Sequence, residues 1–376
     1  MARRGNGEGT MQQRADGRWE ARLSLGYVDG RRARKSVFGK TQGEVRQKLT
    51  RLLRDHDQGM PIAADERQPL ATYLVRWLDD AARNTVRPRT LDGYQRIIGK
   101  HLAPAIGRIP LAKLAPADVQ ALLNAKSRAG LAPQTVRNVH AVLRRALGQA
   151  LRWGLVGRNV ATLVELPRIA RSEVRALSPA DAKAILAAVR GDRLEGLVNV
   201  TLATGLRQGE ALALRWRDVD LEAGTITVRH TLQRLGGAQL VEPKTMRSRR
   251  ALAASVGTVA ALRAHRTRQL QERLWAGSRW SEGDYVFTST IGTPMVAGEV
   301  TRRFQQLLAA AGLPRMRFHD LRHGAASLLL AQGIHPRVVM EMLGHSTIAV
   351  TMNVYSHVTP ALQREAADRM DGILSG

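Results

Sequence analysis

Two stretches without hydrophobic periodicity, Met60 to Pro69 and Leu166 to Ala176, constrain the fold more than any other feature of this chain of 376 residues. A single apolar core stops growing at roughly 250–300 residues, and longer chains divide where few contacts cross. The breaks predict three domains, residues 1–62, 66–166 and 174–376. Hydrophobic residues make up 44% of the chain, enough to give each its own core.

In the first segment Trp19, Ala21, Leu23 and Leu25 alternate onto one face, and a second run ends at Val37 and Phe38 after Asp29-Gly30. That is the pattern of a hairpin or a three-stranded sheet. Thr41 opens a helical stretch with Val45, Leu49, Leu52 and Leu53 along one side. Arg31-Arg32-Ala33-Arg34-Lys35 lies between the strands. Carried on a sheet, those charges suit the groove of a nucleic acid; in a turn they are merely solvated, and both readings stand from this segment alone.

Residues 70 to 164 read as helices throughout. Leu70, Tyr73, Leu74, Trp77 and Leu78 form one apolar stripe, and Val136, Val139, Leu143, Leu147, Ala150 and Leu151 another, both expected as core. Thr90 and Thr135 are predicted N-caps. Arg87, Arg89 and Arg137 cluster at those helix starts, where free amides and positive side chains suit phosphate.

Ser178-Pro179-Ala180-Asp181 predicts the opening of a third, mostly helical segment, with a cap, a proline in the first turn and an acid at N3. Thr225 to Val228, Gln239 to Val241 and Arg250 to Ala253 alternate as a small sheet inserted in it, with Lys244 in the turn between the last two. The fold class expected is mainly α with small β-sheets.

The formal net charge of +26 and a pI near 11.5 point to a polyanionic partner. Lys and Arg outnumber Asp and Glu in all three segments, which favours a protein that engages its partner with several domains. The absence of cysteine excludes disulfides and thiolate metal sites. No run of eighteen apolar residues and no apolar leader are present, so a soluble protein inside the cell is expected.

The last part of the chain carries His319-Asp320-Leu321-Arg322-His323, then Leu343-Gly344-His345-Ser346, then Tyr355, with Thr204-Gly205-Leu206-Arg207-Gln208-Gly209-Glu210 far upstream. A guanidinium is permanently charged and grips two phosphate oxygens through its planar fork, and a tyrosine hydroxyl can attack phosphorus if neighbours handle its proton. His319 and Arg322 share one face if Asp320 to Gln332 is helical, at an end where the dipole favours an anion. Gly344 is placed to supply the left-handed cap of a helix Pro336 to Leu343. Singly, each residue has a plainer explanation: a cap, a surface charge, a core aromatic. Together they are the parts of a metal-free phosphodiester-cleaving site.

As a set these motifs resemble the signature of the tyrosine recombinases, also called phage integrases. Segment 66–166 resembles the family's helical, SAM-like core-binding domain, and the N-terminal sheet with one helix resembles the arm-binding domain of phage and mobile-element integrases. The resemblance implies that Tyr355 attacks the scissile phosphate, forming a 3′-phosphotyrosyl link and freeing a 5′-hydroxyl. It makes Arg207 and Arg322 the holders of the non-bridging oxygens, Lys244 the general acid, His319 an aid to proton transfer, His345 a phosphate donor and Glu210 a brace. Arg247, Arg249 and Arg250 compete with Lys244 as basic groups beside that turn, but only lysine has a pKa that can be tuned for proton donation.

No metal, cofactor or ATP is implied, since the adduct conserves the bond's energy. The implied partners are double-stranded DNA with core-type and arm-type attachment sites, a homotetramer on that DNA, and optionally a host DNA-bending protein and an excisionase. No membrane is involved, and the place of action is the bacterial cytoplasm at the nucleoid. The stretch Thr359 to Met370 reads as a helix with Leu362, Ala366 and Met370 on one face, packing on a neighbouring protomer or on its own domain. Two other readings are a type IB topoisomerase-like enzyme and a non-catalytic DNA-binding regulator. The basic N-terminal segment and His345 favour recombination over the first, and the full polar set favours catalysis over the second.

Overall fold

The computed structural model describes residues 10–28, 31–57, 67–169, 177–234, 236–242, 249–345, 347–355, 367–368 and 370–375. The chain divides into two compact units, Met1–Arg171 and Ser172–Gly376.

In the first unit β1 (Thr10–Gln13), β2 (Trp19–Val28) and β3 (Arg31–Gly39) form an antiparallel sheet in that order, with α1 (Gln42–Asp57) packed against it. Period-2 alternation turns Ala21 and Leu23 inward, where they meet Val45 and Leu49 of α1. The basic run differs from the turn considered above: it belongs to β3, with Lys35 opposite Leu23 and Arg34 opposite Ser24. Arg34, opposite exposed Ser24, lies on the solvated face, where a strand accepts charge at little cost, whereas Lys35, opposite buried Leu23, is half-buried.

The rest of this unit is helical: α2 (Leu70–Trp77), α3 (Arg83–Thr85), α4 (Pro88–Ile97), α5 (Ala103–Ile106), α6 (Pro116–Arg128) and α7 (Pro133–Arg152), with π-turns at Leu78–Ala82 and Ile98–Leu102. Its apolar residues form a cluster separate from that of the sheet, with Tyr73, Trp77, Val139 and Leu143 at its centre. Two expectations fail here. Thr90 and Thr135 are not N-caps, because α4 and α7 begin earlier, at Pro88 and Pro133, behind Arg87 and Ala132. Proline at N1 has its φ preset and gives up only an amide that the first turn would leave unpaired. Leu151 is exposed, lying at the end of its stripe one residue before α7 stops.

The second unit opens as expected. Ser178 Oγ accepts from the Asp181 amide at 3.0 Å and Asp181 answers to the Ser178 amide at 2.9 Å, starting α8 (Pro179–Ala188). There follow α9 (Glu195–Thr204), α10 (Gln208–Ala211), β4 (Val219–Asp220), β5 (Thr225–Val228), β6 (Thr231–Arg234), β7 (Ala238–Val241) and β8 (Arg250–Ala253). The helices α11 (Val256–Ala276), α12 (Ala297–Ala310), α13 (Asp320–Ala331), α14 (Pro336–Leu343) and α15 (Ile348–Tyr355) complete it.

The alternating segments make two sheets and not one. β5 pairs with β4 and β8, whereas β7 pairs with β6, a strand absent from the sequence reading. A neighbour a few residues away costs less closure entropy than one across a longer loop. Lys244 lies outside the described residues. Of the C-terminal stretch, 367–368 and 370–374 are helical with Met370 exposed; Leu362 and Ala366 lie outside the described residues. Among the described residues no helix is long and apolar enough to cross a membrane.

Candidate active site

α9 ends because Gly205 adopts φ 66°, the left-handed conformation that favours glycine. A Cβ there would sit 2.1 Å from Leu343 Cδ2, so the glycine also lets the end of α14 approach. The reversal places Arg207 at the N-cap of α10, where its amide donates to Glu210 Oε2 at 3.1 Å and its Nη1 donates to Oε1 at 2.6 Å. The remaining fork, Nη2, donates to the Gly344 carbonyl at 3.0 Å. Glu210 is 3% exposed and is held from the other side by Arg250 of β8, Nη2 to Oε2, 3.0 Å.

His319 is the N-cap of α13 and Arg322 lies in its first turn, the shared helix end that the spacing predicts. Arg322 is 3% exposed, an extreme burial for a guanidinium. Its Nη1 donates to the Gly205 carbonyl at 2.7 Å, while Nη2 has no hydrogen-bond partner among the described residues. His323, one turn after His319, meets it edge to face with ring centres 5.1 Å apart.

Gly344 ends α14 with φ 65° and ψ 47°, as the spacing predicts. His345, which follows, is buried, and its Nδ1 lies 2.9 Å from Oγ1 of Thr351, itself fully buried on α15. That bond sets the start of α15, whose last residue, one helical turn beyond Thr351, is Tyr355.

Arg207, Arg250 and Arg322 thus stand around a single buried carboxylate. Burial works to raise the Glu210 pKa, but the charges of Arg250 and Arg207 hold it below the usual carboxylate range. Burial, with Arg207 next, pushes Arg322 down to about 9, so it remains charged at neutral pH but poorly compensated. Burial and the charges of Arg322 and Arg207 bring His345 down to about 4. His319 is lowered by burial and by His323. Such a centre is short of negative charge and still holds a free guanidinium donor. It is built to take an oxyanion.

The structure therefore brings together Arg207, Glu210, His319, Arg322 and His345, and sets the backbone of Tyr355 at the end of the helix pinned to His345. Lys244 and Arg247 lie outside the described residues. Arg249 pairs with Glu242 and is exposed. Arg87 and Arg89 are exposed at the start of α4, Arg137 is half-buried in the first turns of α7, and Arg31, Arg32, Arg34 and Lys35 lie in β3. Sequence reasoning gave no site role to Arg250 or His323. Arg250 had a signal: it shares the inward face of β8 with buried Leu252, a position where a charge needs a partner. Among the described residues no group of three or more His, Cys, Asp or Glu is placed to hold a metal.

Residues 175–361 match the model of the phage integrase family, and residues 70–127 that of the phage integrase N-terminal SAM-like domain. An integrase of Streptomyces ambofaciens is 34% identical over 375 residues, covering 95% of this chain and 93% of that relative. The Tn1549 transposon integrase, solved in complex with transposon right end DNA, superposes with a TM-score of 0.69 at 22% identity, covering 80% of this chain and 99% of that one. A lambda integrase tetramer bound to a Holliday junction gives 0.59 at 19%, covering 94% and 96%. These structural likenesses show the fold, and the 34% identity along nearly the whole length shows the family. The chain belongs to the phage integrase family of tyrosine recombinases, the site-specific DNA recombinases.

Proposed function

We propose that this integrase cuts and rejoins DNA through a covalent tyrosyl intermediate, inserting a phage or other mobile element at a chosen site and excising it again. The observation that carries the reading is the polar centre with three guanidinium groups, one carboxylate and an Arg322 Nη2 without a partner among the described residues. A phosphodiester brings one negative charge and its pentacoordinate transition state two, so a site with this surplus of positive charge binds the second more strongly than the first.

In this mechanism the Tyr355 oxygen attacks phosphorus and gives up its proton to the site, with His319 assisting. The bond to the 5′-oxygen breaks, and that oxygen leaves as a hydroxyl after taking a proton from Lys244. Arg207 and Arg322 hold the non-bridging oxygens throughout. His345 is neutral at pH 7, and in the tautomer whose Nδ1 accepts from the Thr351 hydroxyl its Nε2 carries the proton and donates to phosphate. Attack of a foreign 5′-hydroxyl on the phosphotyrosine reverses the sequence and completes the exchange.

Residues 1–62 take arm-type DNA on the basic strand β3, and residues 66–166 take core-type DNA through Arg87, Arg89 and Arg137. Strand exchange needs four active sites, and the lambda integrase was solved as a tetramer on a Holliday junction. The same assembly is proposed here, at the nucleoid, with a host DNA-bending protein and an excisionase as accessory partners.

A duplex nicked close to the exchange site traps the intermediate, because the short product strand diffuses away. A covalent protein–DNA band, absent in Tyr355→Phe, is the expected result. Stable binding without an adduct sinks the proposal in favour of a regulator, and loss of supercoils without exchange between duplexes favours a topoisomerase.

A further inference from the structure

We infer that Arg250 is a positioning residue of the cleavage site, closing a ring that fixes His345 and the start of α15 against Arg207. The inference rests on the cleavage mechanism proposed above. Four hydrogen bonds make the ring. The two oxygens of Glu210 each take one arginine, Oε1 from Arg207 Nη1 at 2.6 Å and Oε2 from Arg250 Nη2 at 3.0 Å. Each arginine then uses a second nitrogen on a carbonyl at the end of α14, Arg207 Nη2 on Gly344 at 3.0 Å and Arg250 Nε on Met342 at 2.6 Å.

The carbonyls of the last turn of a helix have no partner within it, and here side chains from β8 and α10 supply them. Met342 lies in the last turn of α14 and Gly344 is the left-handed residue that delivers His345, and His345 in turn holds Thr351 of α15. The ring therefore joins three segments that are remote in sequence: the strand β8, the Arg207 turn, and the helix that ends at Tyr355. The Arg250 side chain is 8% exposed, too deep to be reached by DNA without rearrangement. Its contribution is alignment, and it touches no reacting atom.

Removing Arg250 leaves Glu210 buried with one direct partner. The charged groups facing that carboxylate are Arg207 at the N-cap of α10, Arg250 of β8 and Arg322 of α13, and the first two hold its pKa down against burial. Without Arg250 the carboxyl pKa rises. Glu210 then protonates as pH falls, releases Arg207, and the cleavage rate falls with it.

The test uses the full chain, the nicked duplex and single-turnover adduct formation from pH 6 to 9. The wild type forms the adduct; if it does not, the cleavage mechanism itself fails, and this inference with it. Arg250→Met is expected to bind the duplex within about twofold of wild type and to cleave about a hundredfold more slowly at pH 7, more slowly still at pH 6. Adding Glu210→Gln abolishes the new pH dependence, because no proton is left to take up. Cleavage by Arg250→Met within about threefold of wild type, with an unchanged pH profile, overturns the inference. So does a loss fully accounted for by the unfolded fraction. If Arg250→Met does not fold, Arg250→Lys decides: it keeps the charge beside Glu210 but not both reaches. It should cleave at least about tenfold more slowly with wild-type melting and affinity, and a wild-type rate refutes the ring.

Discussion

His140 in α7 and His345 after α14 are buried to the same depth, 6% and 7% exposed, yet belong to opposite kinds of interior. His140 sits among Val136, Val139 and Leu143, and its Nε2 meets one backbone carbonyl, that of Ala161, at 2.6 Å. Tyr73, in the same cluster, likewise spends its hydroxyl on one carbonyl, that of Ala146. This is a core that tolerates polar groups by satisfying each one locally. His345 sits among Arg207, Arg322, His323 and Arg250, whose charges disfavour its protonation, and among the described residues Arg322 keeps one nitrogen unspent. A lowered pKa by itself does not make a site, as His265 shows. Burial brings it to about 4 as well, but its neighbours are Phe287 and Trp216 and its Nε2 meets the Val286 carbonyl. What distinguishes a site from a core is uncompensated charge of one sign converging from several elements.

The most severe way to break this contrast is to remove the unspent donor. Arg322→Ala should slow adduct formation by about a thousandfold while leaving duplex affinity near wild type, as expected for a group that acts on the transition state. Equal losses in binding and cleavage would make Arg322 an ordinary phosphate contact.

Gly205→Ala attacks the backbone that shapes the site. It forces a side chain into a left-handed residue and against Leu343, and it displaces the carbonyl that holds Arg322. A loss of about 1–3 kcal/mol of stability with a cleavage defect of about a hundredfold is expected, read by denaturant melts and by single-turnover rates.

The two histidines test the comparison directly. His345→Leu should cut cleavage about tenfold or more with little effect on melting. His140→Leu should cost about 1–3 kcal/mol by leaving the Ala161 carbonyl unpaired, with an unchanged cleavage rate per folded molecule. Exchanged phenotypes would remove the distinction.

Acid should weaken the fold through His265 and His345, the two histidines of the second unit brought down to about 4. Unfolded, each binds a proton near pH 6.5; folded, His265 and His345 do so only near 4. The unfolded state therefore carries more protons between those values, and stability is lost as pH falls from about 6.5 toward 4. Denaturant melts across that window should show the slope, and His265→Phe should flatten it while cleavage at pH 7 persists. The smallest effect belongs to the helical unit's surface: Arg137→Ala should weaken DNA binding modestly and lower the salt slope by about one, the value for one phosphate contact.

The sequence by itself determined whatever is decided within a few residues. The capping box at Ser178, the left-handed end at Gly344, the shared helix end of His319 and Arg322 and the alternation of β5 and β8 all follow from hydrogen bonds and side-chain periods that close locally. Motif spacing, through resemblance, also indicated the family. Local rules failed where two local solutions competed: proline at N1 displaced threonine as the start of α4 and α7, and β7 found β6 before β8. Only the tertiary structure decided that Arg250 closes a ring with Glu210, that His345 is buried on Thr351, and that Arg322 keeps a nitrogen without a partner among the described residues. A residue's type fixes its charge and reach, but what surrounds it is supplied by segments over a hundred positions away, and electrostatics acts through those surroundings.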